Sequence, residues 1–338
     1  MSTKTAPAPS LPARPGPTLL ASTRVVLRQH RRALWAAGVL ALGGIAVLVG
    51  CTLWAVHVTD SFEADPCSAT ASGLGGARCD DRIQEFGNSM SAFSTVLSYA
   101  GLALLVLPVL VGAFVAGPMI AREFENGSYK VSWTQSVSPT RWLLAKLAVP
   151  AVLLVAAVSV LSATFAWARS HQDFDHTSNW WSPEVFSAMG TAPVGRALLG
   201  LAVGALAGVL IRRTVPAMSV AVLACSAAIV VLTTQLVALW PLRTAISTKM
   251  NGLEGDYWQI DIGRITADGH RLTMETCWPD LSPEEARCVA DHHATGFFID
   301  YHPGSHFWPL QLVETGILLV VAAALAAVTF RVLRHRHG

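Results

Sequence analysis

Cysteines, histidines and one membrane-depth carboxylate are the groups in this sequence that could do chemistry. Cys67 and Cys79 stand close together in the chain, as do Cys277 and Cys288. Two locally spaced pairs suit two disulfides in an oxidising compartment. Four cysteines permit three pairings; pairing within each loop closes short rings and is the expectation, with free thiols or metal ligands as the alternative. Cys51 and Cys225 fall inside apolar runs, where a thiol acts as a small apolar filler. Of 11 histidines, His57, His171, His176, His270, His292, His293, His302 and His306 lie in or beside the loops that carry these cysteines or share their side. They could hold a metal, but no HExxH or closed Cys/His zinc pattern occurs, and Pro303-Gly304 interrupts any helix joining His302 to His306. Solvated loop histidines are therefore expected, and no metal site. Glu314 is the one acidic residue at the depth of an apolar run. Gln311 lies three residues earlier on its face, and Thr233, Thr234 and Gln235 end the preceding run. A carboxylate at that depth needs partners. Glu314 is expected to face this polar group, or else to anchor its helix at the headgroups. No G-x-x-x-x-G-K-[ST], G-x-S-x-G or metalloprotease helix occurs. The chain is thus expected to have no catalytic residue and no cofactor of its own, and it lacks a basic aromatic platform for nucleic acid.

The elements that must position these groups are membrane helices. Of the 338 residues, 52% are apolar and only 14% charged, against about 25% charged in soluble domains. This balance excludes an ordinary soluble enzyme, a disordered chain and a small disulfide scaffold. A bilayer core of ~30 Å needs ~20 apolar helical residues. Six runs qualify as spans: about Trp35 to His57, Thr95 to Gly117, Leu147 to Ala168, Ala197 to Ile211, Pro216 to Trp240, and Leu310 to Phe330. The short fourth run lies between Arg196 and Arg212-Arg213 and carries Gly200, Gly204 and Gly208 four apart, a face that lets another backbone approach closely.

Lys and Arg set the orientation. Lys4, Arg14, Arg24, Arg28, Arg31, Arg32, Arg122, Lys130, Arg141, Lys146, Arg212, Arg213, Arg331, Arg334 and Arg336 all fall on one side, opposed there only by Glu123 and Glu125. That side is expected to be cytoplasmic and to hold both termini. Cys67, Cys79, Cys277 and Cys288 all fall on the other, oxidising side. Apart from Glu314 the spans carry almost no ionisable groups, whereas ion-coupled carriers show charges at mid-depth. Energy must enter from elsewhere.

The expected fold is an all-α polytopic membrane protein: six transmembrane helices, with a small disulfide-bonded α+β outer loop between helices 5 and 6. Residues 1–18, rich in proline, form a disordered tail and 19–32 an amphipathic connecting helix on the membrane surface. Residues 33–240 hold helices 1–5, with a cytoplasmic segment at 121–146. Residues 241–307 form the outer loop, 308–331 helix 6, and 332–338 a basic tail. Within the loop, Trp258 to Cys277 reads as two strands about Ala267-Asp268-Gly269. Ser282-Pro283-Glu284-Glu285 reads as a capping box that starts a short helix carrying Cys288. Tyr301, Phe307 and Trp308 return the chain to the membrane interface, where Trp180 and Trp181 also rest.

The stretch from Ala121 to Lys146 carries the most information. Arg122-Glu123-Phe124-Glu125-Asn126-Gly127, followed by Trp133-Thr134-Gln135-Ser136-Val137 and Arg141-Trp142, closely resembles the permease subunits of ABC-2 type transporters, actinobacterial ones above all. Tyr301-His302-Pro303 through Phe307-Trp308-Pro309 to Glu314-Thr315-Gly316 is a second match, at the entry to the last span. The resemblance implies a separate ATP-binding subunit in two copies, which would hold ATP and Mg, and a second permease chain, either a copy or a paralogue. It implies that residues 19–32 and 121–146 couple to that ATPase. Arg122, Glu123, Glu125, Gly127 and Arg141 would fix the coupling segment, with Trp133, Thr134 and Gln135 on its contacting surface. Gln235, Gln311 and Glu314 would then close an outer gate under the 241–307 loop. The implied activity is ATP-driven export, by alternating access, of a lipophilic small molecule, natural product or lipid across a bacterial plasma membrane. A membrane enzyme or a sensor using the His- and Cys-bearing loops is the alternative.

Overall fold

The computed structural model describes residues 31–67, 77–130, 138–172, 179–250, 252–274, 276–277 and 283–337. The tail 1–18, nearly all of 19–32, the trio Trp133, Thr134 and Gln135, and the capping serine Ser282 lie outside the described residues.

Among the described residues, six helical stretches are long and apolar enough to cross a membrane: Leu34–Glu63, Cys79–Glu125, Pro139–Arg169, Ala192–Ile211, Thr214–Leu239 and Gly304–Arg336. They are built by α1 (Arg31–Glu63), then α2 (Ala77–Leu110) with a π-helical turn (Val111–Ala116) and α3 (Gly117–Glu125), then α4 (Pro139–Arg169). After a short α5 (Pro183–Phe186) come α6 (Ala192–Ile211), α7 (Thr214–Gln235) and, past the sheet, the last span α9 (Phe307–His337). α1 and α2 continue beyond their apolar runs as a helical hairpin. Phe62 stacks on Phe86 at 4.3 Å, Arg82 pairs with Asp65 at 3.3 Å, and Cys67–Cys79 joins the tips.

The fourth span is the most enclosed. Within its apolar window about two thirds of the residues are buried, whereas α1 and α7 are largely exposed. Its helix starts at Ala192, with a proline in the first turn, so Arg196 sits one turn inside it, not at its edge. The glycines explain the close fit. A Cβ at Gly200 would lie 2.2 Å from the Pro108 carbonyl oxygen, one at Gly204 2.3 Å from that of Gly112, and one at Gly208 3.0 Å from that of Gly117. All three face span two along its π turn. Leu201, Ala205 and Val209 fill the adjoining core with Ile120, Leu143 and Leu333.

Between α7 and α9 stands a four-stranded antiparallel sheet of order β1-β4-β2-β3. Its strands are β1 (Arg243–Ser247), β2 (Tyr257–Thr266), β3 (Arg271–Thr273) and β4 (Ala294–Pro303), with α8 (Pro283–Asp291) before β4. The expected hairpin is β2–β3, turning at Gly269 with φ +86°. The structure adds β1 and the central β4. β4 shows no alternation because Phe297, Phe298 and Ile299 are all buried. The guanidinium of Arg264 lies 4.0 Å from the Phe297 ring centroid on one face, and that of Arg271 4.7 Å from Phe298 on the other. Cys277–Cys288 ties the end of β3 to α8 in this C-terminal region. We refer to the two ends of the helix bundle as the sheet end and the opposite end.

Candidate functional site: two polar clusters at opposite ends of the bundle

At the opposite end, α3 stops where α4 and α7 begin. Glu123, on the last turn of α3, accepts hydrogen bonds from Lys146 Nζ at 2.5 Å and from Trp142 Nε1 at 3.1 Å. Lys146 is nearly fully buried and also lies over the Trp142 ring at 5.3 Å. Its charge is matched by Glu123, so it is not stranded. Phe124 packs edge-on against Trp142, and the Arg212 guanidinium sits 5.4 Å above the Phe124 ring. Arg212 closes α6 in the left-handed region (φ 57°), which turns the chain within two residues into α7. Glu125 caps that next helix: its Oε2 accepts from Thr214 N at 2.9 Å and from Thr214 Oγ1 at 2.6 Å. A carboxylate at a helix N-terminus satisfies orphan N–H groups and opposes the helix dipole.

Of the sequence-derived coupling residues, Glu123 and Glu125 thus hold the start of the segment, one to α4 and the other to α7. Gly127 turns the chain at φ +69°, and its carbonyl accepts from Lys130 N. Arg122 and Arg141 are exposed; the Arg141 backbone N–H donates to the Ser138 hydroxyl that caps α4. Among the described residues the arrangement ties the end of α3 to α4 and α7.

At the sheet end, Glu314 and Gln311 are fully buried on α9, but their partners are not at the end of α7. Arg196 Nε donates to Glu314 Oε1 at 2.6 Å, and Arg196 Nη1 donates to Ser187 Oγ. The Gln311 amide donates to the Phe186 carbonyl at 2.8 Å, and its Oε1 accepts from Ala192 N at 2.9 Å. Thr191 and Thr315 meet at 2.8 Å. Gln235 is exposed, and the Thr233 and Thr234 hydroxyls bond carbonyls one turn back in α7. The expected grouping of Glu314 with Thr233, Thr234 and Gln235 is therefore corrected. A guanidinium inside α6 offers a full opposite charge, which the α7 hydroxyls cannot match once their own helix has satisfied them. Reading Arg196 as the flank of a span concealed it. Glu314 Oε2 has no hydrogen-bond partner among the described residues.

A second correction concerns the histidines. His302 and His306 are buried, not solvated. Pro303-Gly304 does interrupt the helix, but a single 3-10 turn at Gly304–His306 folds the two rings together, Nδ1 to Nδ1 at 2.9 Å. Both expected disulfides are present, Cys67–Cys79 and Cys277–Cys288. Cys277, Cys288 and His292 lie close enough together to hold a metal, but the two thiols are spent in the bridge.

Neither a curated protein nor a solved structure matches the chain. A family model does, that of the ABC-2 membrane transporter related family, over residues 36–237. This covers the first five spans, the Glu123 and Glu125 clamp and the glycine face of α6. A multi-pass helical architecture and a match over more than half its length together place this chain in the ABC-2 membrane transporter related family, as a transport permease.

Proposed function

We propose that this chain is the membrane-spanning permease of an ATP-driven exporter, in which two permease chains work with two copies of a separate ATP-binding subunit. Family permeases generally work with such a subunit, and ATP and Mg would be held there, leaving this chain no catalysis of its own. The observation that carries the reading is the clamp at the opposite end. Glu123 fastens the end of α3 to α4, and Glu125 fastens it to α7. A push on the end of α3 by a nucleotide-driven partner would reach both helices through these two carboxylates. Residues 19–32 and Trp133, Thr134 and Gln135 would meet the same partner.

The opposite end would face the cytoplasm of a bacterial cell and the sheet end the outside, in keeping with the Lys/Arg distribution and with both disulfides lying at the sheet end. Glu314, Gln311 and Arg196 would hold an outer gate shut between α6 and α9. The apolar spans suit a lipophilic small molecule, a natural product or a lipid as cargo, moved by alternating access.

The test is purification of the tagged chain in mild detergent, followed by ATPase assays in lipid nanodiscs. An ATP-binding subunit should co-purify, and the permease should stimulate its ATPase activity. Glu125→Gln should leave the complex assembled and lower that stimulation severalfold. A chain that never retains an ATP-binding subunit refutes the proposal.

A further inference from the structure

The sheet is fastened to the bundle by a short chain of hydrogen bonds. His302, at the end of β4, places Nε2 3.2 Å from the Val237 carbonyl oxygen, in the 3-10 turn that ends span five. Its Nδ1 lies 2.9 Å from Nδ1 of His306, at the start of span six. A carbonyl oxygen only accepts, so His302 Nε2 carries the hydrogen. A neutral His302 then has a lone pair at Nδ1, and His306 must donate from its own Nδ1. The order is therefore His306 Nδ1–H to His302 Nδ1, and His302 Nε2–H to Val237 C=O. One relay joins the exit of span five, the central strand of the sheet and the entry of span six.

This relay tolerates one added proton, because a charged His306 still donates from Nδ1, and a charged His302 can donate to the Nδ1 lone pair of the other His306 tautomer. A proton on each ring sets two N–H groups against each other across 2.9 Å. The surroundings do not offset a second positive charge on the pair. Trp258 packs on the His302 ring at 5.5 Å and Trp240 lies edge-on to His306 at 6.5 Å. The charged group acting on His306 from β1 is Arg243, which repels a second positive charge. Asp256, whose backbone carbonyl accepts from Gly304 N, has its carboxylate in the field of Arg169. Glu314, two turns further along α9, is committed to Arg196. Among the described residues no carboxylate pairs with either ring.

We propose that His302 and His306 form a proton-sensitive clasp, closed while at most one of the two rings is charged, that holds the sheet against the ends of spans five and six and lets go when acidification charges both. Burial also depresses the proton affinity of His302 below that of an ordinary imidazole. A closed pair that excludes a second proton is stabilised fully above the ordinary imidazole range, and that contribution is lost as pH falls below it. The inference does not depend on what the protein transports.

Hydrogen exchange on the full chain in nanodiscs, at pH 7.5 and pH 5.5 and corrected for intrinsic rates, tests it. Amides of 236–243 and 296–304 should exchange at least tenfold faster at pH 5.5, with α6 unchanged. His302→Gln is the decisive variant, because its amide donates to Val237 and accepts from His306 yet cannot be protonated; it should stay closed at both pH values. Should His302→Gln not fold, His306→Gln serves, since its amide can turn to accept from a protonated His302 and should blunt the response. Equal protection of the wild type at both pH values, or a Gln variant as acid-sensitive as the wild type, overturns the proposal.

Discussion

Arg196 on α6 and Glu314 on α9 are 118 residues apart in the chain and meet at 2.6 Å, with at most 2% of either side chain exposed. Two full charges in a dry setting stabilise the fold only as a pair, because each carries a desolvation cost of several kcal/mol that its partner offsets. Replacing one should therefore hurt more than replacing both. Glu314→Leu and Arg196→Met should each lower stability by about 3–5 kcal/mol, and the double variant should recover most of that. Thermal unfolding of the detergent-solubilised protein, read by size-exclusion fluorescence, gives the comparison. A double variant no better than the singles would mean that the pair is not the unit that matters.

The same logic applies at the other end, where Lys146 is buried against Glu123. Glu123→Gln keeps an acceptor for Trp142 but leaves the ammonium without its counter-charge. Stability should fall by about 3 kcal/mol, and Lys146→Met in the same chain should restore it.

Glycine at position 204 is required by contact. Gly204→Ala puts a methyl into the Gly112 backbone, so the cost should be about 1–3 kcal/mol, and Gly204→Leu should prevent packing. Gly43 and Gly50 on α1 have nothing within 4 Å of a new Cβ, and alanine there should leave melting unchanged. Equal effects at positions 50 and 204 would contradict the close approach of α6 to span two.

Non-reducing peptide mapping should recover Cys67 linked to Cys79 and Cys277 linked to Cys288. Rings this short contribute roughly 3 kcal/mol in the chain-entropy account. Cys277→Ser with Cys288→Ser should loosen α8 and β3 to hydrogen exchange while the six spans stay protected.

Topology is the simplest measurement. Single cysteines introduced at Lys130, Thr214 and His335 should react with a membrane-impermeant thiol reagent only after the inner face is opened, and those at Asn179 and His270 in intact cells. External labelling at position 130 would reverse the orientation.

The six spans were legible because twenty consecutive apolar residues have few other uses, and the cysteine pairs because proximity in the chain implied proximity in space. The clamp made by Glu123 and Glu125 was not legible, since Lys146 and Thr214 lie 23 and 89 residues away and no local pattern announces them. Arg196 was misread because a charge ordinarily marks where a span ends; only a carboxylate on another helix makes it an interior residue. β4 was hidden by its two buried faces, which replace alternation with a solid apolar run. The histidine pair was hidden by the proline-glycine break, which ends the strand yet folds the rings together through one 3-10 turn.

The position of Arg196 also bears on how the protein is made. α6 has 20 residues, the shortest of the six spans, and an arginine at membrane depth costs up to about 2.5–3.5 kcal/mol on insertion scales. Its counter-ion is synthesised 118 residues later, which at ~5–20 residues per second is roughly 6–24 s of translation. For that interval the fourth helix waits at the insertion machinery, or beside it, with an unmatched guanidinium. The arrival of α9 converts it from a poor membrane segment into the most enclosed helix of the fold.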